Sequence, residues 1–220
     1  MAESPADSLE IYLRPGRFVD SDHPAVRAFA REHARGANDL ERAVALYYAV
    51  RDAVRYNPFQ NFLSDDSYRA STCLVRGEGW CVPKAALLAA CARAEGIAAR
   101  VGYADVKNHL TTPALTARMG TDLFIYHGYT ELWLEGKWVK ATPAFNLSLC
   151  EKFRVLPLEF DGRHDSIFHP FDADHRRHME YVGQRGTFAD VPVEEIKRAF
   201  SITYPNYYNL GPDAAREKFA

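Results

Sequence analysis

No Cys-x-x-Cys pair occurs among the four cysteines Cys73, Cys81, Cys91 and Cys150, so the spacing of a zinc ribbon or a thioredoxin-like redox site is missing. Positive charge is nowhere concentrated. The 27 Lys and Arg stand against 29 Asp and Glu, for a formal charge of -2, and no window carries the cationic run that a nucleic-acid or anionic-membrane surface needs. No apolar stretch approaches the roughly 18 residues of a membrane span. The opening Met1 to Ser8 has neither a basic n-region nor an apolar h-region. The expectation is therefore a cytoplasmic, reduced chain whose cysteines are free thiols. The tail from Leu147 carries no clean repeat.

What is present is ordinary for a globular chain: 220 residues, 47% apolar and 25% charged, with 13 Gly and 12 Pro. A chain of this length buries about 70% of its unfolded surface without staples, so one compact domain is the first expectation. Asp22 and Pro24 mark the start of a helix, with the aspartate as its cap and Gly36 as its stop. Asn38 followed by Glu41 makes a capping-box start for a second helix running to about Tyr56. Residues 57–80 show no steady period and read as a long structured loop. Cys81 to Glu95 is rich in helix formers, apolar on most sides and stopped by Gly96, which predicts a central buried helix. Pro83 fits only a first turn, so that helix starts at or within one residue of Cys81. Ile97 to Asp105 and Phe124 to Leu134 alternate as strands do, and Glu135-Gly136 reads as a tight turn into a strand from Lys137 to Ala141. Residues 106–122 read as an insertion over the surface, placed to serve as a flap or as a plain loop. A short helix is expected from Val193 to Phe200.

A thiol at a helix N-terminus faces the positive end of the helix dipole and unpaired N–H groups, both of which favour thiolate. Gly77 and Gly79 just before it permit close approach of a substrate backbone. Alternation along the next-to-last strand places His127, Tyr129, Glu131, Trp133 and Glu135 on one face. With a two-residue loop at 135–136, position 134 opposes 137. His127 then falls opposite Ala144, with Thr142 and Asn146 on its diagonals. Either can orient an imidazole. A cysteine on a buried helix, a histidine on a strand and a hydrogen-bonding residue on the neighbouring strand make up an activated thiol.

The run from Gly77-Glu-Gly-Trp-Cys-Val-Pro-Lys to Tyr103, then His127-Gly-Tyr-Thr-Glu-Leu-Trp and Gly136-Lys-Trp-Val-Lys-Ala-Thr-Pro, resembles the bacterial transglutaminase-like superfamily over roughly residues 40–146. The resemblance implies an α+β fold, a papain-like transglutaminase core with the nucleophile helix packed on an antiparallel sheet. It implies a catalytic domain over residues 1–150 and a C-terminal extension over 151–220 packed on or over it. Cys81 would be the nucleophile and His127 its base. Family members carry Asp in an Asp-Pro pair where this chain has Thr142-Pro143. A threonine hydroxyl can hold the ring but brings no charge to an imidazolium. Asn146 is the substitute by analogy with papain-type amides, and Glu131 could supply charge. The oxyanion would be held by the Cys81 N–H and one donor from Gln60, Asn61 or Trp80.

The reaction implied is amide hydrolysis or acyl transfer on a peptide or protein carboxamide through a thioester, with hydrolysis favoured because no amine-donor pocket is identified. No cofactor, metal, nucleic acid or membrane is called for. Two rivals stand beside it: a catalytically silent domain that binds a peptide or protein in the same groove, and a peptide N-glycanase-like removal of sugar from asparagine. The stretch from Asp161 to His178, with His164, His169, His175 and His178, could hold a divalent metal. Its spacings match no metal motif and Arg163, Arg176 and Arg177 repel a cation, so it reads instead as a polar cap over the site.

Overall fold

Pro24, which loses nothing by lacking an N–H in a first turn, opens α1 (Pro24–His33) in a computed structural model that describes residues 9–108, 113–167, 174 and 179–216. The cap is His23, whose ring Nδ1 accepts the Ala25 N–H at 3.2 Å, and not Asp22. In α2 (Asp39–Ala53) the Asn38 side chain accepts the Glu41 N–H at 2.9 Å, while the Glu41 carboxylate turns back to the Ala37 N–H at 2.8 Å. The stretch read as a loop is more ordered than its sequence announces. The two-residue strands β1 (Arg55–Tyr56) and β2 (Glu78–Gly79) pair in parallel around a 3-10 turn (Asp65–Tyr68) and α3 (Ala70–Arg76). Both are one or two turns long, too short to establish a period.

The centre is α4 (Cys81–Ala94), buried from Cys81 through Arg93. It packs against the sheet on one side and against α1, α2 and α3 on the others. Leu87 and Leu88 are fully buried, each contributing about 1.5–3 kcal/mol. The two cations that this apolar helix carries inward are matched to carbonyls: the Lys84 ammonium donates to Arg51 O at 2.9 Å and to Val54 O, and Arg93 donates to Ala99 O. Lys84 thereby closes the C-terminal end of α2.

The sheet has the order β5-β4-β3-β6, antiparallel throughout, from β3 (Ala99–Asn108), β4 (Leu123–Leu134), β5 (Lys137–Ala141) and β6 (Met179–Phe188). The β4-β5 register is the one the two-residue loop predicts, Leu134 opposite Lys137 and Thr130 opposite Ala141. Glu135 and Gly136 both have positive φ, 48° and 81°, as this kind of hairpin turn requires. The ladder stops at Ala141, so Ala144 and His127 are not a strand pair.

Between β3 and β4, residues 106–122 are not a plain surface loop. The strand continues to Asn108, and α5 (Pro113–Met119) buries Leu115 and Met119. After α6 (Leu147–Phe153) the tail supplies β6, α7 (Val193–Thr203) and α8 (Pro205–Tyr208). The Asp190 carboxylate ties this tail to the N-terminal loop by accepting the N–H groups of Arg17 and Val19 at 2.7 and 2.8 Å. No described helix is long and apolar enough to cross a membrane.

Candidate active site

Cys81 is the first residue of α4 and is 6% exposed. Three backbone N–H groups act on its sulfur: its own, that of Val82 and that of Gly128 on β4. The first two follow from the helix terminus, where N–H groups lack intrahelical partners. The third follows from close packing. A Cβ at Gly128 would stand 3.0 Å from Cys81 O and from the Val82 Cα, so only glycine lets the strand come this near. These donors favour the thiolate, but burial outweighs them and pushes the thiol up to about 12.

His127 is buried at 3% exposure and lines the same cavity as Cys81. The residues of β4 that face α4 are its neighbours, Gly128 at the closest approach and Thr130, whose hydroxyl donates to Ala85 O at 2.8 Å. The register between β3 and β4 slips beside His127: Ala104 pairs with His127 but Val106 pairs with Phe124, leaving one extra residue on β4. Tyr126 takes the strained conformation this requires, with φ 52°. A bulge of this kind re-aims the side chains beside it. It is pinned by Asp105, which accepts the Tyr126 N–H at 3.1 Å and a two-nitrogen grip from Arg185.

The cavity holds about 40 Å³ and is open along part of its boundary. Its roof comes from parts of the chain outside the cysteine and histidine motifs: Leu115 and Met119 of α5, Phe200 of α7, then Tyr204 and Tyr207. The roof is strapped down. Tyr204 Oη donates to Leu123 O and accepts the Ile125 N–H, each at 2.7 Å, and Tyr207 Oη donates to Pro58 O at 2.5 Å.

The remaining residues singled out from the sequence lie off the cavity wall, Trp80 excepted. Thr142 is buried; its carbonyl accepts from Tyr47 Oη at 3.3 Å, and its Oγ1 has no hydrogen bond. Asn146 spends both ends of its amide, accepting the Tyr56 N–H at 2.9 Å and donating to Ser148 Oγ at 2.8 Å. Glu131 is held by Arg100 at 2.6 Å. Gln60 donates to Asn57 O, Asn61 accepts the Leu63 N–H, and the Trp80 indole donates to Ser67 O. The Gln60 amide and the Trp80 indole thus donate elsewhere, whereas Asn61 is held through its carbonyl oxygen. Sequence reasoning did not single out Gly128, a glycine inside a strand, nor the aromatic run at 200–207 as part of the site.

All four cysteines are free and buried. Among the described residues no cluster of three or more His, Cys, Asp or Glu is placed to hold a metal. His169, Asp172, His175 and His178 lie outside the described residues. His164 pairs with Asp161 at 2.6 Å, and Asp174 with Arg154 at 2.8 Å.

The family model of the transglutaminase-like superfamily matches residues 27–143, more than half of the chain. No curated protein shows significant similarity to the chain. A crystal structure of a protein described as a candidate cysteine protease from Cytophaga hutchinsonii aligns with it at TM-score 0.48 and 18% identity. The alignment covers 84% of this chain and 57% of that one, so this chain spans little more than half of that protein's length.

Proposed function

The chain belongs to the transglutaminase-like superfamily, and on that premise we propose that it hydrolyses or transfers the acyl group of a peptide or protein amide, with Cys81 as nucleophile and His127 as base. The observation that carries the reading is the Cys81 sulfur at a helix N-terminus, on a cavity that His127 also lines. In the reaction the Cys81 sulfur attacks the amide carbonyl carbon, the C–N bond breaks, and the thiol proton passes through His127 to the departing amine. Water then attacks the thioester and the C–S bond breaks, returning the thiol and releasing the acid. Backbone N–H groups at the start of α4 are the donors nearest the developing oxyanion.

Buried as it is, the thiol stays protonated at neutral pH, its pKa held at about 12. Substrate binding therefore has to bring water and His127 to the sulfur and lower it. Thr142 Oγ1 makes no hydrogen bond, and the Asn146 amide is turned to Tyr56 and Ser148. The test is amine release from a peptide library together with intact-mass detection of an acyl adduct. Cys81→Ala is expected to abolish both, and His127→Ala to slow acylation by about 100-fold or more. Cleavage that survives in Cys81→Ala overturns the reading. Tight peptide binding without any adduct establishes the silent binding domain in its place.

A further inference from the structure

We infer that the acyl group Cys81 accepts is short and apolar, either an aliphatic chain of about two to four carbons or the side chain of a small aliphatic residue, judging the size by the space one water needs. The inference rests on the acyl-transfer reading. The cavity in front of Cys81 holds about 40 Å³. A bound water needs about 10–15 Å³ of such space, so there is room for about three or four heavy atoms.

Polarity points the same way. No Asp, Glu, Lys or Arg side chain stands on the wall among the described residues, whose aliphatic part comes from Leu115, Met119 and Ile125. Three of its aromatic residues already use their polar tips elsewhere: the Trp80 indole on Ser67 O, the Tyr204 hydroxyl on Leu123 O and the Ile125 N–H, and the Tyr207 hydroxyl on Pro58 O. A carboxamide or carboxylate entering here gives up its water and gains no partner from these groups. An alkyl group gains by leaving water. The attacked carbonyl lies at the sulfur, and the group attached to its carbon occupies the cavity. The S–C bond that forms and the C–N bond that breaks are those of the mechanism above; with an ester probe the C–O bond breaks instead and the phenolate leaves.

The experiment presents the full chain with p-nitrophenyl esters of acetate, butyrate, octanoate, succinamate and N-acetylalanine, using Cys81→Ala as the blank. Acid-quenched intact mass reads the adduct on Cys81. Acetyl and butyryl adducts are expected to form about tenfold or more faster than octanoyl and succinamoyl adducts, since single-group discrimination in apolar pockets is of this order. A fast N-acetylalanyl adduct identifies a peptide residue as the source of the apolar group, and a slow one identifies a simple acyl chain. Met119→Ala, which widens the wall, is expected to raise octanoyl relative to acetyl, and Leu115→Ala replaces it if circular dichroism shows the first variant unfolded. Adducts that form with no preference for length or polarity overturn this inference alone. No adduct with any ester overturns the acyl-transfer reading and this inference with it.

Discussion

A methyl group added at Gly128 meets two backbone atoms at 3.0 Å, Cys81 O and the Val82 Cα, and neither can swing aside as a side chain would. Gly128→Ala therefore has to push the start of α4 off β4, drawing the Gly128 N–H away from Sγ. The expected cost is about 1–3 kcal/mol, typical of overpacking, read as a lowered thermal midpoint. Gly183→Ala is the control, because a Cβ there meets nothing within 4 Å, and its effect should stay within about 0.5 kcal/mol. Equal losses in the two variants would show that close approach is not what Gly128 provides. Cys81 and His127, which line one cavity, could be nominated from sequence because their chemistry is written in the side chain, and because Pro83 fixes where the helix starts. Gly128 has no side chain to read, and its part in the site exists only as a distance between two elements.

Among elements, the hairpin was legible because Glu135-Gly136 sets both the turn and every pairing after it. The buried helix was legible because proline and glycine bracket it. β6 was not, since Met179–Phe188 is largely exposed and lacks the alternation that a half-buried strand shows. Nor was the roof, whose residues come from three separate helices and acquire a role only by meeting over Cys81. That roof is held by few bonds, and Tyr204→Phe removes two of them at once, leaving the Ile125 N–H and Leu123 O to find other partners. The loss is expected to destabilise the closed form by about 1–3 kcal/mol. Iodoacetamide labelling of Cys81 at pH 7, followed by peptide mass spectrometry, should then be several-fold faster than in the unmodified chain. Labelling at the same rate in both would mean that Tyr204 does not hold the roof.

For the molecule as a whole, the buried bases and thiols set opposing slopes of stability against pH. Burial holds the Lys84 ammonium down to about 7, whereas an unfolded lysine titrates near 10.4. Between those values the unfolded chain carries a proton that the native chain has lost, so stability rises with pH at about 1.4 kcal/mol per unit. Burial pushes Cys73 and Cys81 up to about 12, Cys150 up to about 11, and Cys91 upward too. An unfolded thiol titrates near 8.5. Above that value the unfolded chain releases up to four thiol protons that the native chain keeps, and stability falls. The four thiols outweigh the one lysine by about three protons, so the descent is steeper than the rise, at roughly 4 kcal/mol per unit. Urea unfolding between pH 6.5 and 10 should accordingly peak near pH 8 to 8.5, where the unfolded thiols begin to ionise. Lys84→Met removes the group responsible for the rising limb, although it also leaves Arg51 O and Val54 O without their donor. The variant is expected to start less stable, to run flat near pH 7 and then to fall from about pH 7.5 to 8 onward, more steeply than the unmodified chain at roughly 5.5 kcal/mol per unit, because the four thiol protons are no longer offset by the lysine. A rising limb that survives in Lys84→Met would place the neutral-pH titration in some other group and leave Lys84 charged in the core.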